Sequence, residues 1–207
     1  MYITELVKKI FNFLKKILSG EKVLVLARDK SHWDGQFKRG KWRDSEENGQ
    51  NLGSVSRFVV ERSFSKETTV LDVGCGSGVQ GQYLAGVPNV KYFGSDISEE
   101  AIIQAKERVP KGTFWVGNME DGPQSDNKFD VIIFAEVLLY CDYKEVLEVY
   151  KKALKDDGFV IISLYQTWRT KYIWKDISGS LQVENEIYVK DVKRGIGWRV
   201  YKCTFKK

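Results

Sequence analysis

The feature of the sequence that most constrains its fold is an alternation of short apolar runs with amphipathic helical patterns, which begins at Thr69. Short strands that alternate with helices are typical of a parallel sheet covered by helices on both faces. The pattern predicts strands at 69–73, 90–95, 113–116, 129–134 and 158–164, and helices from about 79, at 98–109 and at 143–155. Two further β-rich runs, joined around 193–197, predict an antiparallel hairpin at the sheet edge. The predicted fold is therefore α/β, a three-layer sandwich around a seven-stranded, mostly parallel sheet.

The alternation occupies only the later part of the chain, and the segments before it differ in composition. With 207 residues and 43% hydrophobic side chains, the chain can bury one substantial core. Residues 21–54 have little apolar periodicity and are dense in charges, glycines and aromatics, which predicts a lid or a broken-helix segment. We therefore predict three parts: a basic amphipathic helix at 1–20, this lid segment at 21–54, and the sheet domain at 55–207.

The first part of the chain carries most of its excess positive charge. Apolar residues of 3–18 fall on one helical face, and four lysines fall opposite. Lysines spaced through this segment argue against a secretory signal and against a spanning helix, which needs about 20 apolar residues. Two alternatives remain: the helix packs on its own domain, or it lies in an anionic membrane surface with its lysines at the headgroups. The second alternative predicts a cytoplasmic protein that is peripheral on the inner face of the membrane.

Cysteine content and charge argue against several classes of site and partner. Three cysteines far apart fit neither a disulfide framework nor a metal-ligand spacing, which predicts a reducing, cytosolic compartment and no metal site. Residues 44–189 hold fifteen basic and twenty-three acidic side chains, a net charge of −8. Because such a surface repels phosphates, nucleic acid is not the expected partner.

The stretch VLDVGCGSG, residues 70–78, places three alternating glycines at the end of the first predicted strand. In an open parallel sheet, ligands bind beyond the carboxyl ends of the strands, where such glycines let the backbone approach them. A dinucleotide-binding loop has Gly or Ala at its sixth position, but this chain has Val79 there. Asp96 ends the second strand, placed to accept hydrogen bonds from the ribose hydroxyls of a nucleoside. The spacing thus favours a nucleoside ligand over a nicotinamide dinucleotide.

Five ordered motifs indicate a known family. VLDVGCGSG, YFGSDIS, WVGNMED, FDVIIFAEVLLY and LKDDGFVIIS, in this order and spacing, resemble the class I S-adenosylmethionine-dependent methyltransferases. The resemblance covers about residues 55–207 and implies a Rossmann-like fold with S-adenosyl-L-methionine as the cofactor. It also implies a set of cofactor-binding residues: Asp72, Gly74, Cys75 and Gly76 for the methionine moiety, Asp96 for the ribose, Ile97 for an adenine face, and Asn118 with Met119 for the adenine edge.

Some of these assignments have alternatives. Many family members have Asp where this chain has Asn118, whose amide oxygen can still accept from the adenine amino group. Asp72 alternatively caps the amides of the glycine loop, and Asp96 alternatively caps the helix that begins at Ser98. Cys75 is expected to be a small loop residue rather than a nucleophile, because no base lies near it in the sequence.

The candidate catalytic residues are Glu136, Tyr140 and His32. The resemblance implies that Glu136 and Tyr140, just after the fourth strand, face the cofactor pocket; alternatively, Glu136 only orders its loop. His32, the single histidine, lies in the lid segment, and its alternative is a solvated or packing role. Methyl transfer depends first on holding the nucleophile in line with the methyl group. A hydroxyl acceptor would also benefit from a general base such as Glu136 or His32, whereas an amine needs only to be held unprotonated.

Three features bear on the acceptor. The stretch AEVLLYCDYKEVLEVY resembles a loop of the nodulation-factor N-methyltransferases and neighbouring families, which act on amino sugars and other small amines. Trp33, Phe37 and Trp42 supply flat surfaces suited to sugar rings, and the basic segment 1–20 favours a site near a membrane. We therefore predict methylation of a sugar or glycan hydroxyl or amine near a membrane. The alternatives are a soluble N-methyltransferase of a small amine and a non-catalytic, nucleoside-binding partner subunit.

Overall fold

A computed structural model of the protein describes residues 29–42, 49–193 and 195–206. The strands are β1 (Thr68–Val73), β2 (Val90–Asp96), β3 (Thr113–Val116), β4 (Phe129–Ala135), β5 (Leu154–Tyr165), β6 (Leu181–Lys190) and β7 (Gly197–Phe205). They form one seven-stranded sheet in the order β3-β2-β1-β4-β5-β7-β6. The helices in the described ranges are α1 (Lys30–Lys38), α2 (Leu52–Ser63), α3 (Val79–Leu84), α4 (Glu99–Arg108), α5 (Tyr143–Lys151) and α6 (Trp168–Ile177), with a 3-10 turn at Met119–Asp121.

The strand directions confirm the predicted topology. Strands β1 to β5 run parallel, and β7 pairs antiparallel with both β5 and β6. The chain leaves β1 toward β2 and β3 on one side and returns to β4 and β5 on the other. Such a switch in direction opens a crevice at the carboxyl ends of the strands on either side of it, here β1 and β4. The fold is the predicted Rossmann-like sandwich, with the antiparallel hairpin at one edge of its sheet.

Apolar side chains on the two faces of the sheet form two cores. Successive residues of a strand point to opposite faces, so the neighbours Val70 and Leu71 of β1 belong to different cores. The neighbours Ile132 and Ile133 of β4 are likewise fully buried in different cores. Both faces of the parallel strands are therefore covered, which explains why their sequences are continuously apolar rather than alternating.

Two neighbouring predicted boundaries, the end of α5 and the start of β5, are wrong. The helix predicted over 143–155 ends at Lys151, and β5 begins at Leu154 instead of at 158. Leu154 pairs with Phe129 across an irregularity in the register, so this segment extends the sheet rather than the helix. Pairing with a distant strand determines the structure of this segment, and the local apolar pattern does not predict that pairing.

Helix α6 is an element that the sequence pattern does not predict. The Thr167 side chain accepts from the Thr170 backbone N–H, and the Thr170 side chain accepts from the Thr167 backbone N–H. This reciprocal capping box has Thr where Glu or Gln is usual, so its sequence signature is weak. Because β5 ends at Tyr165, the first turn of α6 lies at the carboxyl edge of the sheet.

The predicted amphipathic helix at 1–20 lies outside the described residues, as do residues 21–28 and 43–48 of the predicted lid segment. Helix α1 is the described helix of that segment, and the side chain of Asp29 caps it by accepting from the His32 backbone N–H. Among the helices of residues 29–42, 49–193 and 195–206, none is both long and apolar enough to cross a membrane.

Candidate functional site

A cavity of about 250 Å³ opens at the carboxyl ends of the parallel strands. This is the edge at which open α/β sheets bind their ligands. The described residues that line it are Trp33, Phe37, Trp42, Gly74, Gly76, Ser95, Asp96, Ile97, Gly117, Asn118, Met119, Glu120, Ala135, Glu136, Val137 and Tyr140. The cavity brings together six of the eight predicted cofactor-binding residues and two of the three candidate catalytic residues.

The loop after β1 requires glycine for steric reasons. Gly74, Gly76 and Gly78 have positive φ angles of 69°, 54° and 79°. A Cβ atom at position 74 would lie 2.4 Å from Cγ1 of Val137, and one at position 78 would lie 3.0 Å from Cα of Ala105. The loop therefore packs directly on the loop after β4 and on α4, and it presents bare backbone to the cavity.

Asp96, at the end of β2, connects the glycine loop to α4. Its Oδ2 accepts from the Gly76 backbone N–H at 3.0 Å, and its Oδ1 accepts from the Ser98 backbone N–H at 2.9 Å. Ser98 is itself the N-cap of α4, because its Oγ accepts from the Ala101 backbone N–H, so Asp96 supports the cap residue and does not cap the helix. Asp96 also lines the cavity. Its contact with ribose hydroxyls stays a prediction.

Asn118 follows β3 and opens the 3-10 turn. Its Oδ1 accepts from the Glu120 backbone N–H at 3.3 Å, which orients the amide group. Ile97 and Met119 contribute apolar side chains to the same cavity. A mainly apolar lining with a few placed polar groups is typical of small-molecule sites. The adenine contacts of these three lining residues stay predictions.

Asp72 and Cys75 are buried outside the cavity lining. The Tyr92 hydroxyl donates to Oδ2 of Asp72 at 2.6 Å, and burial raises the pKa of Asp72 to about 7. The sulfur of Cys75 packs against Gly94, where an added Cβ atom would lie 2.9 Å from it. Neither residue lines the cavity, and their contacts with the methionine moiety of the cofactor stay predictions.

The Asp72→Asn variant is expected to show a flatter dependence of stability on pH than the wild type. Because the pKa of Asp72 rises from 3.8 to about 7 on folding, the folded protein holds a proton that the unfolded chain has released. This contribution stabilises the fold fully below the unfolded pKa and is lost as the pH rises through about 7. The loss approaches about 1.4 kcal/mol per pH unit within that window. Denaturant unfolding of both proteins between about pH 4 and 8 measures it, and parallel profiles would contradict the prediction.

Helix α1 is held on the N-terminus of α4 by polar contacts. Lys30 Nζ lies 2.8 Å from Oε2 of Glu99. Asp34 Oδ1 accepts from the Ser98 hydroxyl at 2.7 Å and from the Glu100 backbone N–H at 3.3 Å. The exposed ion pair contributes little, but a carboxylate beside a helix N-terminus is favourable. These contacts fix α1 beside the cavity.

Aromatic residues of α1 and of the segment after it face the cavity. The Trp33 ring lies 4.9 Å from the Tyr140 ring in an edge arrangement and 5.8 Å from the Trp42 ring, measured between centroids. Both separations are within the range of favourable aromatic pairs. His32 is also on α1, but it does not line the cavity, and its ring contacts that of Trp33 at 5.5 Å. The structure therefore does not bring His32 together with the other two catalytic candidates.

Glu136 follows β4 and is held by β5. The Ser163 hydroxyl donates to its Oε1 at 2.9 Å, and the Tyr165 backbone N–H donates to its Oε2 at 2.8 Å. Its φ of 62° lies in the left-handed region, which is costly for a residue with a side chain. Burial raises the pKa of Glu136 to about 7, against the effect of both hydrogen bonds. A carboxylate that titrates near neutral pH in the wall of a cavity can accept or hold a proton there.

The residues that position Glu136 were not found by sequence reasoning. Asn51 Nδ2 donates to the Ser163 hydroxyl at 2.8 Å, so this hydroxyl links Asn51 to Glu136. Ser163 pairs with Ala135 in the register of β4 and β5, which brings its side chain to Glu136. The three linked residues lie far apart in the chain, and only the pairing of these two strands signals their contact.

Comparison with known proteins shows to which family the chain belongs. The chain matches the methyltransferase domain family over residues 64–201. It is 33% identical over 124 residues to the uncharacterized protein MJ1252 of Methanocaldococcus jannaschii, a match that covers 59% of this chain and 47% of that protein. The chain thus spans about half the length of this relative.

Solved structures share the fold. A chain in the complex of the Haloferax volcanii Trm112 methyltransferase activator with a methyltransferase superposes with a TM-score of 0.69 and 19% identity, over 87% of this chain and 100% of that chain. The N-methyltransferase NodS of Bradyrhizobium japonicum, in complex with S-adenosyl-L-homocysteine, superposes with a TM-score of 0.59 and 16% identity, over 75% of this chain and 88% of that chain. At these identities the likeness shows the fold alone. Because the family match spans more than half of the residues, the chain belongs to the class I S-adenosylmethionine-dependent methyltransferase family.

Proposed function

We propose that this chain transfers the methyl group of S-adenosylmethionine to a small acceptor. The observation that carries the proposal is one cavity in which predicted cofactor-binding residues adjoin Glu136 and Tyr140. The glycine loop and Asp96 form its wall at β1 and β2, and the catalytic candidates form its wall after β4. A transfer between two molecules requires that both be held next to each other, and residues of both groups line this one cavity.

The residues of the cavity fit the cofactor. The absence of a side chain at Gly76 lets the cofactor approach the backbone closely. Asp96 offers carboxylate oxygens to the ribose hydroxyl groups, and Asn118 offers an amide oxygen to the adenine amino group. Ile97 and Met119 offer apolar surface to a flat ring. When bound, S-adenosylmethionine supplies an electrophilic methyl group on a sulfonium sulfur.

The contribution of the protein is then mainly positioning. Trp33 and Tyr140, in edge contact, line the cavity on the side of α1 and restrict the space there. The hydrogen bonds from Ser163 and Tyr165 hold the Glu136 carboxylate in one orientation. A pKa of about 7 allows Glu136 to accept the proton that an acceptor hydroxyl or ammonium group releases.

Calorimetry and a transfer assay test the proposal. We expect the full chain to bind S-adenosylhomocysteine and not NAD, because Val79 replaces the small residue of a dinucleotide loop. We also expect labelled methyl groups to appear in acceptors from a panel of sugars and small amines. Binding of NAD without binding of S-adenosylhomocysteine would contradict the proposed activity.

The more specific proposal is a sugar or glycan acceptor at a membrane surface. The rings of Trp33, Phe37 and Trp42 in the cavity lining support the sugar, because aromatic faces offer the flat apolar area on which a sugar ring packs. The basic amphipathic pattern of residues 1–20 supports the location.

Sedimentation with anionic vesicles tests the proposed location. If residues 3–18 lie in a bilayer surface, each of the four lysines contributes about 1 kcal/mol near anionic lipid, and binding falls as salt is added. Deletion of residues 1–20 should then abolish sedimentation and leave the affinity for S-adenosylhomocysteine unchanged. A full-length protein that ignores the vesicles, with a truncated form that loses thermal stability, would support packing on the domain instead.

A soluble N-methyltransferase of a small amine is the second candidate. The buried carboxylate of Glu136 in the cavity wall favours it, because such a group attracts an ammonium ion and can take its proton. A third candidate is a non-catalytic, nucleoside-binding partner subunit, in which the cavity holds the cofactor and Glu136 has no catalytic role. Methyl transfer by the purified chain alone to amines, to sugars or to neither distinguishes the three.

A further inference from the structure

Arg169, in the first turn of α6, is a partly buried cation without an anionic partner among the described residues. Its Nε atom is buried and has no hydrogen-bond partner. In the described ranges, the other partly buried arginines each contact an oxygen atom through at least one guanidinium nitrogen: Arg62, whose Nε is also unpaired, Arg108 and Arg199. A buried donor that is left unpaired costs about 1–3 kcal/mol, so this arrangement calls for an explanation.

The fold places Arg169 at the edge of the candidate site. Strand β5 ends at Tyr165, whose backbone N–H donates to Glu136. The Thr170 hydroxyl donates to the Tyr165 carbonyl oxygen at 2.5 Å, and the capping box closes the turn between them. The backbone around Arg169 is therefore fixed to the same strand end that holds the Glu136 carboxylate.

Tyr140 is the cavity residue on which Arg169 acts electrostatically, although Arg169 itself does not line the cavity. The ring of Tyr140 lines the cavity and contacts Trp33. Burial and the Glu136 carboxylate raise the pKa of Tyr140, and the charge of Arg169 lowers it, so the hydroxyl lies within the influence of both groups. The hydrogen bonds of Glu136 come from Ser163 and Tyr165, and no ion pair joins Glu136 to Arg169 in the described part of the chain. A carboxylate and a guanidinium thus act on the same hydroxyl without neutralising each other.

A purely structural role does not account for Arg169. A cation in the first turn of a helix is unfavourable with the helix dipole. The guanidinium carbon of Arg169 lies 5.3 Å from the centre of the Trp168 ring. Trp168 is 56% exposed, so this cation–π contact is largely in solvent and contributes little. An arginine whose backbone is held in place is, however, well suited to bind a carboxylate or a phosphate through parallel hydrogen bonds.

We propose that Arg169 binds an anionic group of the acceptor, a carboxylate or a phosphate, while the nucleophilic nitrogen or oxygen of the same molecule faces Glu136 and Tyr140. The inference rests on the proposed function, because it places the acceptor in the methyl-transfer cavity. It narrows the acceptor class to an acidic sugar or a small amine that also carries an acid group. A neutral sugar would leave Arg169 without a partner.

Anion binding tests this inference without a known acceptor. The full chain, saturated with S-adenosylhomocysteine, is titrated with inorganic phosphate and, separately, with acetate at constant ionic strength. The indole N–H resonance of Trp168, assigned with Trp168→Phe, reports binding because its ring lies beside the guanidinium. We expect Arg169→Gln to weaken binding of the preferred anion by about tenfold to a hundredfold. Arg169→Lys should retain part of the affinity, since an ammonium keeps the charge but not the paired geometry.

Arg57→Gln is the matched control, because it removes the same charge from an exposed arginine on α2. It should bind both anions as the wild type does. Preference for phosphate indicates a phosphorylated acceptor, and preference for acetate indicates a carboxylate. Equal anion affinity of the wild type and Arg169→Gln, with S-adenosylhomocysteine bound normally by both, would overturn the inference and leave the proposed function intact. Failure of the wild type to bind S-adenosylhomocysteine would instead remove the proposed function, and the inference with it.

Discussion

The Asp96→Ala variant is expected to bind S-adenosylhomocysteine about thirtyfold to a thousandfold more weakly than the wild type. The carboxylate accepts from the backbone N–H groups of Gly76 and Ser98, so the variant loses an anchor of the glycine loop together with the predicted ribose contacts. Hydrogen bonds to a charged acceptor contribute about 1.5–3 kcal/mol each and are not additive, which places the loss at about 2–4 kcal/mol. The fold should persist, because Asp96 belongs to neither apolar core. Isothermal calorimetry measures the affinity, and circular dichroism checks the fold.

Two variants serve as controls for Asp96→Ala. Asp96→Asn keeps the size of the side chain and the bond from Ser98, but its amide nitrogen cannot accept from the Gly76 N–H, so most of the loss should remain. Asp126→Ala removes one negative charge from an exposed residue outside the cavity lining, and its affinity should equal that of the wild type. Wild-type affinity in a folded Asp96→Ala protein would show that Asp96 serves only its backbone contacts with Gly76 and Ser98 and does not bind the cofactor.

The cofactor side of the site could be predicted from the sequence because its signals are local. The glycine loop and Asp96 each lie directly after a strand, and parallel strands end at one edge of the sheet, so their proximity follows from the alternation of elements. The exclusion of Asp72 and Cys75 from the cavity lining could not be predicted in the same way. Whether a residue near the end of a strand faces a crevice or a core depends on the exact point at which the strand stops.

The acceptor side depends on contacts between distant segments. The position of Glu136 after β4 predicts that it faces the site, but its hydrogen bonds come from Ser163 and Tyr165 on β5. Those bonds depend on the register of β4 and β5, and the sequence placed the start of β5 four residues too late. The sequence pattern does not indicate Arg169, because α6 lacks a strong capping signature. Long-range pairing, and not local composition, sets this half of the site.

The second large effect is expected for Gly74→Ala, which should lower the free energy of unfolding by about 2–5 kcal/mol. The φ of Gly74 is 69°, and a residue with a Cβ atom pays about 1–2 kcal/mol in this region. The new methyl group would lie 2.4 Å from Cγ1 of Val137 in the buried loop after β4, and overpacking of this kind costs typically 1–3 kcal/mol. Because both loops line the cavity, we also expect the affinity for S-adenosylhomocysteine to fall. Denaturant unfolding and calorimetry measure the two effects.

A double-mutant cycle separates the two causes. Val137→Ala removes Cγ1, so in the Gly74→Ala/Val137→Ala protein the steric cost should be relieved and the backbone cost should remain. The two substitutions should therefore be less destabilising together than the sum of their separate effects, by about 1 kcal/mol or more. Gly86→Ala is the matched control, because an added Cβ atom there meets nothing within 4 Å and φ is not positive, so stability should change by less than about 0.5 kcal/mol. Strict additivity of the pair would mean that the glycine is required for its backbone angle alone, and that the close packing of the two loops does not determine the shape of the cavity.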